Sequence, residues 1–190
     1  MTSDKLDRRK KYTRMVLKDS LMELLKEKPL SSITVKEICE LADVNRSTFY
    51  AHYPDQFALL TQIEDELIED LKHYLSSTNL YKEDEAFDMM VSLLEYFSSK
   101  HEKCLILLNE GGDSTFQQKV VSVAEGFMME NWMDAFNIDS DTSKYISTFI
   151  ISGGIQVIKM WMSKGMIQSP MEMARLINDL INKGIENVRL

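Results

Sequence analysis

The sequence predicts an all-α protein of about nine helices, an N-terminal three-helix helix-turn-helix unit followed by a larger all-helical second domain. Three observations lead there. Apolar residues recur at helical spacing along most of the chain, with almost no sustained alternation of the kind a half-buried strand needs. Only three prolines and seven glycines interrupt 190 residues, and several helix starts are marked by capping residues. Charge is also unevenly placed. Met1 to Tyr53 carries 11 Lys and Arg against 8 Asp and Glu, net +3, whereas the remainder carries 11 against 22, net −11. A basic head on an acidic body suits a polyanion-reading module joined to a part that does not touch the polyanion.

Taken in order, the first helix is expected from about Arg9 to Lys28, with Leu17, Leu21, Leu24 and Leu25 forming one apolar stripe. Pro29 ends it. Thr34-Val-Lys-Glu37 reads as a capping box that opens a short second helix, with Val35, Ile38, Cys39 and Ala42 facing inward. Asp43-Val44-Asn45 interrupts it, and Asn45 is expected to cap a third helix from Arg46 to about Tyr53. Pro54-Asp55 restarts the chain into a fourth helix, where Phe57, Leu60, Ile63, Leu67 and Leu71 follow the helical period. The acidic run Glu64, Asp65, Glu66, Glu69 and Asp70 reads as its solvated face. Further helices are expected at about 83–99, 102–109, 114–136, 142–164 and 170–188. Ser169-Pro170-Met171-Glu172 marks the last start with an N-cap serine, proline at the first helical position and a box glutamate. Residues 1–60 are assigned to the helix-turn-helix domain and 61–190 to a second, helical domain, the polar break at Ser76 to Asn79 being the far limit of the boundary.

Composition excludes several classes. Cys39 and Cys104 lie far apart, each inside an apolar helical pattern, and read as buried small hydrophobes rather than a disulfide or metal pair. His73 and His101 have no partner at metal spacing and read as surface histidines, so neither metal nor cofactor is expected. No apolar run approaches the roughly 20 residues that cross a bilayer. Together with a polar N-terminus, that points to a cytoplasmic protein without a membrane partner. Nucleophile elbow and phosphate-loop motifs are absent, and Gly111-Gly112 lacks the flanking strand of a dinucleotide site, so an enzyme is not expected. A purely structural helical adaptor stays open as one reading of such a chain.

Chemistry concentrates between Thr34 and Tyr53. In a helix-turn-helix the second helix enters the major groove, so it needs short polar and basic groups outside and an apolar inner face. Arg46-Ser47-Thr48-Phe49-Tyr50-Ala51-His52-Tyr53 provides both, with Phe49 and Tyr53 one turn apart on the inner face. Arg46 can bond guanine O6 and N7 bidentately, and Ser47 can serve several base edges. Thr34, Thr48, Tyr50 and the basic stretch Arg8 to Lys11 are better suited to phosphates and to setting register, and Lys36, Asn45 and His52 complete the candidate DNA-binding set.

The run from Ile33 to Pro54 resembles the N-terminal domain of TetR-type bacterial regulators. The shared features are the helix-1 leucines, Thr34 at the start of the second helix, Val44 before the reading helix, Thr48-Phe49-Tyr50 within it, and Tyr53-Pro54 before the fourth. Gln56 stands where that family commonly has a phosphate-contacting lysine, keeping the hydrogen bond and dropping the charge. Phe149 to Gly165 is similar to the penultimate helix of one branch. The resemblance implies a homodimer through a four-helix interface, a roughly palindromic double-stranded operator, and a body whose bound signal moves the two heads. Phe149, Gly153, Gly154, Val157 and Trp161 on the penultimate helix, with Ile177, Leu180 and Gly184 on the last, are the expected interface, the glycines allowing close helix approach. Thirteen methionines with Phe97, Phe127, Trp132 and Trp161 suggest an adaptable effector pocket, although core packing explains each of these residues singly. A repressor released by a small molecule is the preferred reading, with a protein-controlled regulator or an activator as the alternative.

Overall fold

The computed structural model describes residues 2–77, 85–109, 115–131 and 140–185, and these form nine α-helices with no strand among them. They fall into two compact units, residues 1–67 with 109–115, and residues 68–108 with 116–190.

In the first unit α1 spans Thr2–Leu25. It starts well before Arg9, since nothing between Thr2 and Leu25 breaks a helix, and it ends one turn before Pro29. There Lys26 N and Glu27 N switch to tighter bonds with Glu23 O and Leu24 O. Leu17, Leu21, Met22 and Leu25 are buried. After a 3-10 turn at Leu30–Ser32, α2 (Val35–Leu41) and α3 (Arg46–Tyr50) follow. Their buried side chains, Ile38, Cys39 and Phe49, complete a small core with Leu30, Ile33 and the α1 leucines. Burying such a set against roughly 25 cal/mol per Å2 of apolar surface is what holds a helix as short as α3, which could not persist alone.

The helix α4 (Gln56–Ser77) is capped by Asp55, whose Oδ1 accepts from Ala58 N at 2.8 Å. Leu59, Leu60, Ile63 and Leu67 are buried, but Phe57 is exposed. The acidic run is not simply a solvated face. Glu64 is buried, Glu66 takes two bonds from Lys18 Nζ of α1 at 2.5 and 2.6 Å, Glu69 pairs with Lys72, and Asp70 lies 3.4 Å from Lys100 Nζ. Glu66 thus meets a cation of α1 and Asp70 one from further along the chain, whereas Glu69 pairs along α4 itself.

In the second unit α5 (Glu85–Ser99), α6 (His101–Asn109), α7 (Thr115–Asn131), α8 (Ser140–Ser163) and α9 (Pro170–Ile185) pack around Leu71, Leu94, Phe97, Leu107, Phe116 and Ile155, with α9 lying along α5. Lys159 Nζ of α8 donates to Leu108 O at 2.8 Å, placing a cation at the carbonyl end of α6. Cys104 is fully buried, and that burial pushes its thiol up to about 12. Between α8 and α9 the chain turns at Gly165 (φ 78°) and Met166 (φ 54°). Glycine adopts that left-handed conformation without penalty, whereas Met166 is strained there. Two main-chain bonds, Gly165 N to Met162 O and Met166 N to Trp161 O, offset the cost, and Trp161 Nε1 donates to Gln168 O at 2.9 Å to pin the far side. The Ser169–Glu172 box forms as its sequence indicates, Glu172 Oε2 accepting from Ser169 N and Oγ at 2.8 Å each. Among the described residues no helix is long and apolar enough to cross a membrane, and no cluster of His, Cys, Asp and Glu could hold a metal ion.

Candidate nucleic-acid interface

The reading helix is aimed by the main chain in front of it. Thr34 Oγ1 accepts from Glu37 N at 3.3 Å, and Glu37 Oε2 accepts from Thr34 N at 2.9 Å, so both halves of the capping box are present. Glu37 Oε1 also accepts from Lys28 Nζ at 2.5 Å, tying the turn after α1 to the start of α2. That lysine, and after it the Thr34 bonds, hold the Glu37 carboxyl down at about 2. The turn after α2 is a Schellman closure: Asp43 sits at φ 53°, Val44 N donates to Cys39 O at 3.0 Å, and Asp43 N to Glu40 O at 3.4 Å. Aspartate tolerates the left-handed region better than most residues with a Cβ.

Asn45 occupies the N-cap of α3, yet its side chain makes no capping bond. Its carbonyl does the work instead, accepting from Thr48 N at 2.9 Å and Phe49 N at 3.1 Å. The helix ends at Tyr50, three residues before the expected Tyr53. Pro54 disfavours the α conformation at the preceding residue, and His52 N and Tyr53 N both crowd onto Phe49 O.

On α3, Phe49 is 0% exposed and Tyr50, one residue on, is 56% exposed. Phe49 holds the tyrosine ring edge-on at 5.6 Å and the ring of Tyr53 at 5.9 Å. Arg46 and Ser47 are exposed beside Tyr50, with Thr48 and His52 half-buried. Thr34, Lys36 and Asn45 are exposed on the approach. The Thr34 hydroxyl is engaged with Glu37, and Lys36 lies 3.7 Å from Glu40 Oε1, a solvent-screened pair that gives way readily to phosphate. His52 has its pKa lowered, first by burial and then by the cations Arg14 and Lys10 of α1. Lys10 belongs to the basic stretch read from the sequence; Arg14 was missed there, although its place one turn beyond Lys10 puts it on the same helix face. The head therefore offers a helix with exposed Arg46, Ser47 and Tyr50, flanked at His52 by two cations, an arrangement matched in chemistry to base edges bordered by phosphate.

The residues expected at a dimer interface separate into two sets. Phe149 is 80% and Leu180 65% exposed, and Gly153 is exposed, as are Tyr145, Met160 and Leu176 on the same two helices. Gly154 and Val157 are half-buried, while Trp161 (3% exposed) and Ile177 are buried within their own chain. For Gly184 only its place in α9 is described. Of the expected pocket residues, Phe97 lines a cavity of about 150 Å3 in the second unit, together with side chains from α4 to α9. Trp161 instead anchors the α8–α9 turn. Phe127 is described only as part of α7, and Trp132 lies outside the described residues.

Residues 19–63 match the profile described as bacterial regulatory proteins, tetR family, and residues 84–183 match a transcriptional regulator C-terminal region of TetR type. The HTH-type transcriptional regulator YxbF of Bacillus subtilis (strain 168) is 39% identical over 59 residues, 31% of this chain and 14% of that protein's length. Among solved structures, a TetR transcriptional regulator from Streptococcus agalactiae 2603V superposes with a TM-score of 0.74 at 22% identity, covering 94% of this chain and 98% of the other. Native NalD of Pseudomonas aeruginosa, the secondary repressor of the MexAB-OprM multidrug efflux pump, does so with 0.68 at 16% identity over 92% and 97%. At such identities the likeness to both structures speaks for the fold alone.

Proposed function

The chain belongs to the TetR family of bacterial transcriptional regulators, and on that footing we propose that it is a cytoplasmic homodimer that binds a roughly palindromic operator and represses until a small molecule releases it. The observation that carries the reading is the division of α3 into a fully buried Phe49 and an exposed row of Arg46, Ser47 and Tyr50, held by a turn closed with main-chain bonds. Arg46 and Ser47 read base edges; Thr34, Lys36, Asn45, Thr48, Tyr50 and His52 set the register on phosphates and the groove wall. Two copies meet through the outward apolar stripes of α8 and α9, around Phe149, Gly153 and Leu180. Left in water, such a patch is a liability for a lone subunit.

Control runs through α4. It is one unbroken helix, with Leu59 to Leu67 in the core of the head and Leu71 and Leu75 on the wall of the cavity. A ligand that fits the cavity only when Leu71 and Leu75 have shifted favours the conformation in which the two heads no longer match the operator. By linkage, DNA then weakens the ligand by the same factor. The cavity favours a small molecule over a protein partner as the signal.

A mobility-shift titration with DNA from beside the protein's own gene tests the core of the reading. Sequence-selective binding whose log affinity falls linearly with log salt is the expected result. Absence of binding at low salt assigns the chain to the adaptor class instead.

A further inference from the structure

The wall of the cavity has a chemistry of its own. Leu71, Met90, Phe97, Ile155 and Ile177 are typical of it, and of the eighteen described residues around it Asn178 alone has a polar side chain. Among the described residues, that lining holds no lysine, arginine, histidine or carboxylate. A charged ligand would shed its hydration and meet no counter-charge, so ions are excluded on energetic grounds. Water finds few partners in its apolar recess too, since among the described residues the side chains offer one amide. Size narrows the class further. An apolar cavity of about 150 Å3 is the size that stays dry and accepts benzene in an engineered protein, so the matching ligand has about six to eight non-hydrogen atoms. Space is also open at Gly154 of α8, where an added Cβ would meet nothing within 4 Å.

We propose that this cavity takes a small, neutral, mostly hydrocarbon molecule, aromatic or short-chain, with at most one neutral hydrogen-bonding group set against the Asn178 amide. This rests on the reading of the second unit as the effector-binding part. The amide can both donate and accept, so it serves a hydroxyl, a carbonyl or an ester oxygen equally and makes a short alcohol a better fit than the bare hydrocarbon.

The test uses the full-length protein with three probes, toluene, 1-hexanol and hexanoate, followed by calorimetry and thermal unfolding at pH 7. Toluene and hexanol should bind. At ten times its Kd each should raise the midpoint of unfolding by about 3 °C. Hexanoate, of the same length and charged, should bind at least tenfold more weakly than hexanol. Gly154→Val directs two methyl groups into the open space; it should keep the helical circular dichroism and lose both neutral ligands. Asn178→Leu should keep toluene and weaken hexanol by about tenfold. Failure of both neutral probes to bind the unaltered protein overturns the proposal, as does hexanoate binding as well as hexanol, or undiminished binding in a folded Gly154→Val variant. Operator affinity measured with the same probes separates the two ideas. Neutral probes that bind without changing it leave the ligand class standing and remove effector control.

Discussion

Phe49 and Tyr50 are adjacent in sequence and opposite in role, and replacing each by alanine separates folding from reading. Phe49 is fully buried beneath α3 and touches the rings of Tyr50 and Tyr53. Its loss leaves a cavity in a core with few other members, and buried Phe→Ala changes cost about 3–5 kcal/mol. Against a domain stability of about 5–15 kcal/mol that is a large share. Tyr50 is more than half exposed, so its truncation forfeits chiefly the edge-on contact with Phe49. Such pairs are worth about 0.5–1.5 kcal/mol, and exposure places this one at the low end. On DNA the order reverses. Tyr50→Ala should weaken operator binding about tenfold, or about 1.4 kcal/mol, at every sequence tested. Arg46→Ala should lose about 1–3 kcal/mol, concentrated at one base pair. Urea unfolding followed by circular dichroism gives the first pair of numbers, and fluorescence anisotropy with operator variants at fixed salt gives the second. The reasoning is refuted if Tyr50→Ala unfolds as readily as Phe49→Ala, or if Tyr50→Ala and Arg46→Ala both leave affinity and selectivity unchanged.

His52 is held below its usual pKa by burial and by Arg14 and Lys10; phosphates arriving beside it counter those cations and raise it. Binding then takes up a proton, so operator affinity should rise as pH falls from 8 to 6, by at most tenfold per unit, and His52→Gln should flatten that slope in salt-matched anisotropy titrations. For the proposed dimer, Gly153→Leu should yield folded monomers by sedimentation at micromolar concentration. An added Cβ there meets nothing within its own chain, so a persistent dimer would move the interface elsewhere. Trp161→Phe removes the indole bond to Gln168 O while keeping most of the buried ring. It should cost about 1 kcal/mol in urea unfolding, and a loss several times larger would mean that the ring's packing, and not the bond, holds the turn.

Legibility in the sequence followed the range of the interactions. The boxes at Thr34–Glu37 and Ser169–Glu172 close within a single turn, and both were readable from spacing alone. The third helix was harder. Its cap and its end are set by carbonyls of Asn45 and Phe49 shared among several N–H groups, and a side-chain pattern is silent about main-chain competition. For α8 and α9 the sequence offers apolar residues at several helical phases, so it could not decide which stripe faces inward. The structure puts Ile151, Ile155, Ile158 and Met162 inside and leaves Phe149 out; on α9 Met173 and Ile177 are in and Leu180 is out. The cavity was the least legible, because six helices converge on it and its wall is ordinary Leu, Ile and Met. Large aromatics looked like better pocket formers, yet Trp161 serves a turn. Arg14 went unnoticed because its relation to His52 crosses 38 positions of chain, although its spacing from Lys10 was in view.

The bend that precedes α3 is closed by bonds between main-chain atoms of Cys39, Glu40, Asp43 and Val44, and none of them uses the side chains of Arg46, Ser47, Thr48 or His52. On the proposed assignment of base reading to Arg46 and Ser47, heritable change at those two positions redraws which operators are recognised without re-solving how the reading helix is presented. Mutational tolerance should be sharply divided across three residues: at Asp43 most replacements with a branched Cβ meet the left-handed backbone and are lost, while at Arg46 and Ser47 nearly any polar side chain folds and only the target changes. A duplicated copy of such a gene starts with a working scaffold and a reading surface free to diverge, so new regulatory circuits can arise from few substitutions.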